Sequence, residues 1–214
     1  MNHADPVTEF HRWYYDAELW NKTYFLGVRT LKCVFDLWQY QEILTELRPD
    51  LVVETGCYLG GATLFFSTIL EMVNPNGQVI TVETNPDRID PSVRARSNIE
   101  IIAGSSTDPT IASLLRTRRA ACSGLAFFIF DARPRKDHVL SEMINFREVI
   151  QPSDYLVVED SNVNGHPVLP EWGPGPMEAI REYEKLYPAD YVHDEQREQK
   201  FGVTFAPYGF MRRR

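Results

Sequence analysis

The stretch LVVETGCYLGG, Leu51 to Gly61, decides the fold. Its first half, Leu51 to Thr55, is a short run rich in β-branched residues, the composition of a buried strand. Gly56, Gly60 and Gly61 interrupt it, and Ala62 to Val73 then reads as a helix closed by Asn74, Pro75, Asn76 and Gly77. Strand, glycine turn and helix open a parallel βαβ unit, where glycine lets the backbone turn tightly and approach a ligand closely. The spacing is not the full G-x-G-x-x-G dinucleotide pattern, so a purely structural turn also explains it.

Working outward, Asp36 to Leu47 places Leu37, Tyr40, Ile43, Leu44 and Leu47 at helical spacing, and Pro49 ends it. Further strands are predicted at Gln78 to Glu83, Ile99 to Ala103, Ala126 to Phe130 and Tyr155 to Val158, with a helix from Met177 to Leu186. Hydrophobic strands alternating with helical stretches predict an α/β fold, a mostly parallel sheet with helices on both faces. A chain of 214 residues, 43% hydrophobic, supports one core. Residues 1–35 read as an aromatic, helical extension of a single domain over 36–214.

The formal charge of -8, from 30 acidic and 22 basic residues, argues against nucleic acid as a partner. Arg212, Arg213 and Arg214 form the only basic cluster and read as a solvated tail. No stretch approaches a membrane span and the start resembles no signal peptide, so the expected location is cytoplasmic. Cys33, Cys57 and Cys122 fit neither a disulfide framework nor a zinc site and read as small buried thiols.

The ends of parallel strands carry the candidate chemistry, because ligands of such sheets bind beyond the carboxyl ends. Glu54, Gly56, Tyr58 and Gly60 lie in or beside the first turn. Glu83 ends the next strand, where an acid accepts the ribose hydroxyls of an adenosine. Ser105 and Ser106 follow the third strand and offer donors to an adenine edge, although Gly-Ser-Ser is also ordinary turn chemistry. Asp131 ends the fourth strand, and Glu159 and Asp160 end the fifth. Three neighbouring carboxylates repel unless a cation resolves the charge, and all-oxygen ligation suits magnesium. The bland alternative has the acids diverge or pair with Arg133, Arg135 or Lys136. The long loop Ser161 to Pro176 reads as a lid or substrate wall, from which Asn162, Asn164 and His166 face the metal and substrate. His138 is a candidate general base, with a surface histidine as the competing reading. Trp13, Tyr14, Tyr15, Trp20, Tyr24 and Phe25 read as packing core or a subunit interface before a pocket cap, which makes a homo-oligomer a reasonable expectation.

Several linked motifs also carry a resemblance. WNKTYFLGVRTLKCVFDLWQYQEIL from Trp20, ETGCYLGG, DHVLSEM from Asp137, YLVVEDSNVNGHPV from Tyr155 and GPGPMEA from Gly173 resemble the cephalosporin hydroxylase or rhamnosyl O-methyltransferase family. The resemblance implies a Rossmann-like class I methyltransferase with a seven-stranded sheet. It further implies S-adenosylmethionine as donor and a divalent ion, Mg2+, on Asp131, Glu159 and Asp160, with Asp131 also counted among the catalytic and donor-site residues. The implied acceptor is a small-molecule hydroxyl of sugar or natural-product type. One position departs from the family: the histidine common three residues after the strand-four aspartate is Pro134 here, which makes His138 the substitute candidate for the base. A non-catalytic donor-binding subunit stays open on that account. An iron-dependent hydroxylase is the weaker rival, because it needs two histidines and a carboxylate, and the only His-x-Asp spacing is His3 to Asp5.

Overall fold

A computed structural model describes residues 5–214, so His3 lies outside the described residues. Helix α1 (Pro6–Asp16) starts at an Asp5 cap and leads into a hairpin of β1 (Tyr24–Phe25) and β2 (Val28–Arg29). Helix α2 (Val34–Leu47) precedes β3 (Leu51–Thr55), α3 (Gly61–Val73) and β4 (Gln78–Glu83). Then come α4 (Pro91–Arg94), β5 (Ile99–Ala103), α5 (Pro109–Ala120), β6 (Ala126–Phe130), α6 (Lys136–Asn145) and β7 (Tyr155–Val158). The chain ends with α7 (Pro176–Leu186), β8 (Tyr191–His193), α8 (Glu195–Gln199) and β9 (Phe210–Arg213). The five strands expected from the sequence fall on the expected residues.

Seven strands form one sheet in the order β5-β4-β3-β6-β7-β9-β8. Strands β3 to β7 are mutually parallel, and β9 runs antiparallel to both β7 and β8. Alternate residues feed two cores. Val53, Ile80, Phe128 and Leu156 pack on the face covered by α5, α6 and α7, through Leu115, Met143 and Ile180. Val52, Val79, Phe127 and Val157 pack on the other face, against Tyr40 and Leu44 of α2 and Phe66 and Leu70 of α3. Burial on both faces explains why these strands read as continuous apolar runs. Strand order reverses between β3 and β6, the switch point where such sheets open a crevice.

The terminal arginines are not a solvated tail. Arg212 and Arg213 lie in β9, with Arg213 Nη1 2.7 Å from Asp190 Oδ1 and Arg212 stacked over the Tyr155 ring. Arg213 is paired and Arg212 is packed by folding, while Arg214 stays exposed, which a local reading of the run does not reveal. Cys33 and Cys57 are buried and Cys122 is half-buried; all three are free thiols. No helix among the described residues is long and apolar enough to cross a membrane.

Candidate active site

Two cavities meet at the switch point. The first, about 490 Å³, is lined by Glu83, Gly104, Ser105, Ser106, His138 and Arg133, with Gly56 and Ala132 at its boundary. The second, about 360 Å³, is lined by Lys32, Asp131, Glu159 and Asp160, with aromatic walls. Gly56, Arg88 and Ala132 line both, so the two volumes are neighbours across the turn after β3. Gly56 is required there. Its φ is +81°, and a Cβ would lie 2.4 Å from the Asp131 carbonyl oxygen and 2.5 Å from Ala132 Cα.

In the first cavity Glu83 is buried, and its carboxylate accepts from the backbone N–H groups of Tyr58 (3.0 Å) and Asn85 (2.9 Å) and from Arg88 (2.8 Å). Burial works to raise this carboxyl, but those hydrogen bonds outweigh it and hold the group below its ordinary value. An ionised acceptor at the end of β4 suits a pair of ribose hydroxyls. Ser105 and Ser106 line the same cavity, and Ser106 Oγ lies 3.3 Å from His138 Nε2. Tyr58 borders the second cavity, its ring 4.6 Å beneath the Arg88 guanidinium.

The other two turn residues do different work. Glu54 is fully buried in the sheet, accepting from Thr63 and Thr81, and lines neither cavity. Its side chain leaves the strand on the α3 side, so it does not reach the first cavity. Gly60 also lies outside both cavities: a Cβ there would press on Val93 and Ile89, so it permits packing against α4. Gly61 lets the backbone of Arg29 and Thr30 approach, since a Cβ would lie 2.3 Å from the Arg29 carbonyl oxygen.

The second cavity gathers the three strand-end acids. Glu159 and Asp160 are adjacent, and in extended backbone would point to opposite faces. Asp160 instead has φ +57°, a left-handed turn that Asp tolerates better than most residues, and both border one cavity. None of the acids pairs with Arg133, Arg135 or Lys136. Lys32 does the pairing: it is 2% exposed, and its Nζ lies 2.6 Å from Asp131 Oδ2 and 2.7 Å from Glu159 Oε1. The Tyr40 hydroxyl donates to the same Glu159 oxygen. Asp160 has no ion-pair partner among the described residues. Burial, then repulsion from Glu159, pushes its carboxyl up to about 6 against the pull of Lys32. Burial likewise raises Asp131 well above its usual range, with Lys32 opposing and Glu159 and Asp160 adding to the rise.

Three carboxylates against one ammonium leave the cluster short of positive charge, and such an oxygen donor set fits a hard divalent ion. The side chains are not already gathered around such an ion: no three Asp, Glu, His or Cys groups among the described residues form a ready cage, because Lys32 lies between two of the acids. Tyr15, Trp20, Leu31, Trp172 and Phe205 wall the rest of the cavity. Trp172 belongs to the long loop and is fixed by its indole N–H donating to the Pro134 carbonyl at 2.8 Å. Among the N-terminal aromatics, Tyr14 is core while Trp13 and Tyr24 are exposed, so the pocket-lining role falls to Tyr15 and Trp20.

Neither of the two candidate catalytic histidines, His138 and His166, lines the cavity of the acids. His138 faces the first cavity beside Ser106, because α6 begins five residues beyond Asp131 and carries it to that side. His166 is bonded to Glu178 at 2.8 Å, the acid of the first turn of α7, and borders a separate surface cleft. Asn162 is buried and donates to His11 Nε2 at 3.1 Å, so it too is turned from the acids. Lys32 was missed by sequence reasoning. Its signals are its place in the family-like stretch from Trp20 and a lone lysine within the apolar run LKCVF.

Comparison with known proteins places the chain in a family. A family model described as Rhamnosyl O-methyltransferase/CmcI matches residues 17–214. Rhamnosyl O-methyltransferase of Mycobacterium tuberculosis H37Rv is 45% identical over 209 residues, covering 97% of this chain and 85% of that protein. The Mycobacterium leprae protein of the same name is 45% identical, covering 96% of this chain and 90% of its own length. Among solved structures, the Mg and SAM form of CmcI superposes with a TM-score of 0.70 at 22% identity, covering 91% of this chain and 77% of that one. An O-methyltransferase from Bacillus cereus in complex with SAH gives 0.54 at 12% identity, covering 99% and 91%. These likenesses show a class I methyltransferase fold. The chain belongs to the rhamnosyl O-methyltransferase/CmcI family.

Proposed function

We propose that this chain is an S-adenosylmethionine-dependent O-methyltransferase that methylates a hydroxyl of a sugar, with a divalent ion, Mg2+, at the acid cluster. The observation that carries the reading is the adjacency of the two cavities across Gly56: one presents an ionised acid suited to an adenosine, the other three carboxylates under aromatic walls. The name shared by the mycobacterial relatives favours a rhamnosyl acceptor.

When bound, the donor supplies an electrophilic methyl and the ion acidifies and orients the acceptor hydroxyl. Asp131, Glu159 and Asp160 are the residues that would hold the ion. Glu83 would accept from the ribose hydroxyls of the donor, while Ser105, Ser106 and His138, which line the same cavity, would offer polar groups to its adenine. Tyr15, Trp20, Trp172 and Phe205 offer faces for the apolar side of a sugar ring and exclude water from the reacting centre. Among the described residues no histidine lines the cavity of the acids, so the groups there able to take the acceptor's proton are the acids themselves. The work of the protein is then chiefly positioning.

The test is incubation of the purified chain with S-adenosylmethionine, magnesium and rhamnosyl-bearing glycosides, read by mass spectrometry. The expected product carries one added methyl on a sugar oxygen, and Asp160→Ala abolishes its formation while leaving donor binding largely intact. Donor binding without transfer to any sugar hydroxyl would instead favour a non-catalytic donor-binding subunit.

A further inference from the structure

Lysine is almost never fully buried unless paired, and Lys32 is paired twice. Its placement is built rather than incidental. The Lys32 backbone N–H and carbonyl both face the Thr23 hydroxyl, at 3.3 and 3.5 Å. Leu31 beside it adopts φ +54°, and Gly61 admits the incoming strand at Arg29 and Thr30. Four separate features thus deliver one ammonium from the N-terminal segment to acids about 100 and 127 positions away in the chain. Those acids are two of the three assigned to the divalent ion, a reading on which the following rests.

Lys32 Nζ holds one oxygen of each acid, Asp131 Oδ2 and Glu159 Oε1, and charge repulsion in a poorly solvated site opposes a second cation on those same oxygens. The flexible four-carbon stem of lysine, bordering a 360 Å³ cavity, gives the ammonium room to move. We propose that Lys32 is the resident cation of the acid cluster, and that a divalent ion enters by displacing its ammonium from Asp131 and Glu159. The lysine keeps the cluster assembled without metal and, by competing, weakens metal affinity.

The test uses the full chain with Mn2+ and Mg2+ as probes, comparing wild type, Lys32→Met and Lys32→Arg by calorimetry and thermal unfolding. Lys32→Met is expected to bind Mn2+ at least about tenfold more tightly, to melt lower without metal and to recover more on its addition. Lys32→Arg keeps the charge and is expected to bind metal no better than wild type. Equal or weaker Mn2+ binding by a folded Lys32→Met overturns the displacement and leaves the metal reading standing. Absence of binding in wild type and Lys32→Met alike overturns both. Should Lys32→Met fail to fold, a Mn2+-soaked crystal of wild type decides: Lys32 Nζ released from Glu159 supports the proposal, and Lys32 still bonded to both acids beside bound Mn2+ overturns it.

Discussion

Gly56→Ala is the perturbation whose cost can be worked most directly from the structure, because Gly27 supplies a matched control. Both glycines have positive φ, +81° and +87°, so alanine at either pays the left-handed penalty of ~1–2 kcal/mol. At Gly27 nothing lies within 4 Å of the added Cβ, whereas at Gly56 it meets the backbone of Asp131 and Ala132 at 2.4 to 2.9 Å. Backbone cannot rotate away, so the tips of β3 and β6 must part, an overpacking cost of ~1–3 kcal/mol. The sum is ~2–5 kcal/mol, and at ~2–4 °C per kcal/mol for a chain of this size Tm falls by ~4–20 °C. Because Gly56 borders both cavities, donor affinity should also fall at least about tenfold, while Gly27→Ala leaves it unchanged. Thermal unfolding and donor titration on the two variants read both effects. Equal losses of stability, or unchanged donor affinity in Gly56→Ala, would refute the reasoning.

Three further outcomes follow from named contacts. Burial lowers the His11 imidazole to about 4, so the native state binds fewer protons than the unfolded chain; stability is fully present above pH 6.5 and declines toward pH 4 by up to ~3 kcal/mol. Denaturant unfolding of His11→Gln should show a shallower acid loss, and an unchanged slope counts against a buried neutral histidine. Arg119 bonds Asp154 at 2.8 and 2.9 Å in a buried pair at the amino edge of the sheet, so Arg119→Met should cost ~3–5 kcal/mol without altering donor binding. Removing the cavity wall with Trp172→Ala should raise the acceptor KM by about tenfold while the donor Kd stays within about twofold, and a larger effect on the donor would assign the wall to the wrong ligand.

The parallel core was legible because β3, β4, β6 and β7 are buried on both faces and the apolar runs of the five parallel strands end at turn residues or acids. β8 and β9 were not: three and four residues long, they hold exposed Val192 and two arginines whose partners, Asp190, Tyr155 and Tyr191, lie outside any local window. At the site, strand-end residues such as Glu83, Asp131 and Glu159 could be placed because a parallel sheet fixes where its strands end. Side chains whose direction depends on tertiary packing could not. His138 turns to the cavity of Glu83 with α6, His166 is tied to Glu178, and Glu54 is bound inside the sheet. Lys32 lies inside the family-like stretch from Trp20, but nothing local marks it as facing the acids, and its position depends on a glycine on another element.

The central claim, a donor seat built on Glu83 beside the acid cluster, is tested most directly by calorimetric titration with S-adenosylmethionine and S-adenosylhomocysteine, with and without magnesium, on wild type and Glu83→Ala. The account predicts saturable binding of both ligands to wild type, weakened at least about tenfold by loss of the Glu83 carboxylate. Absence of binding under every condition, or binding untouched by Glu83→Ala, would contradict it.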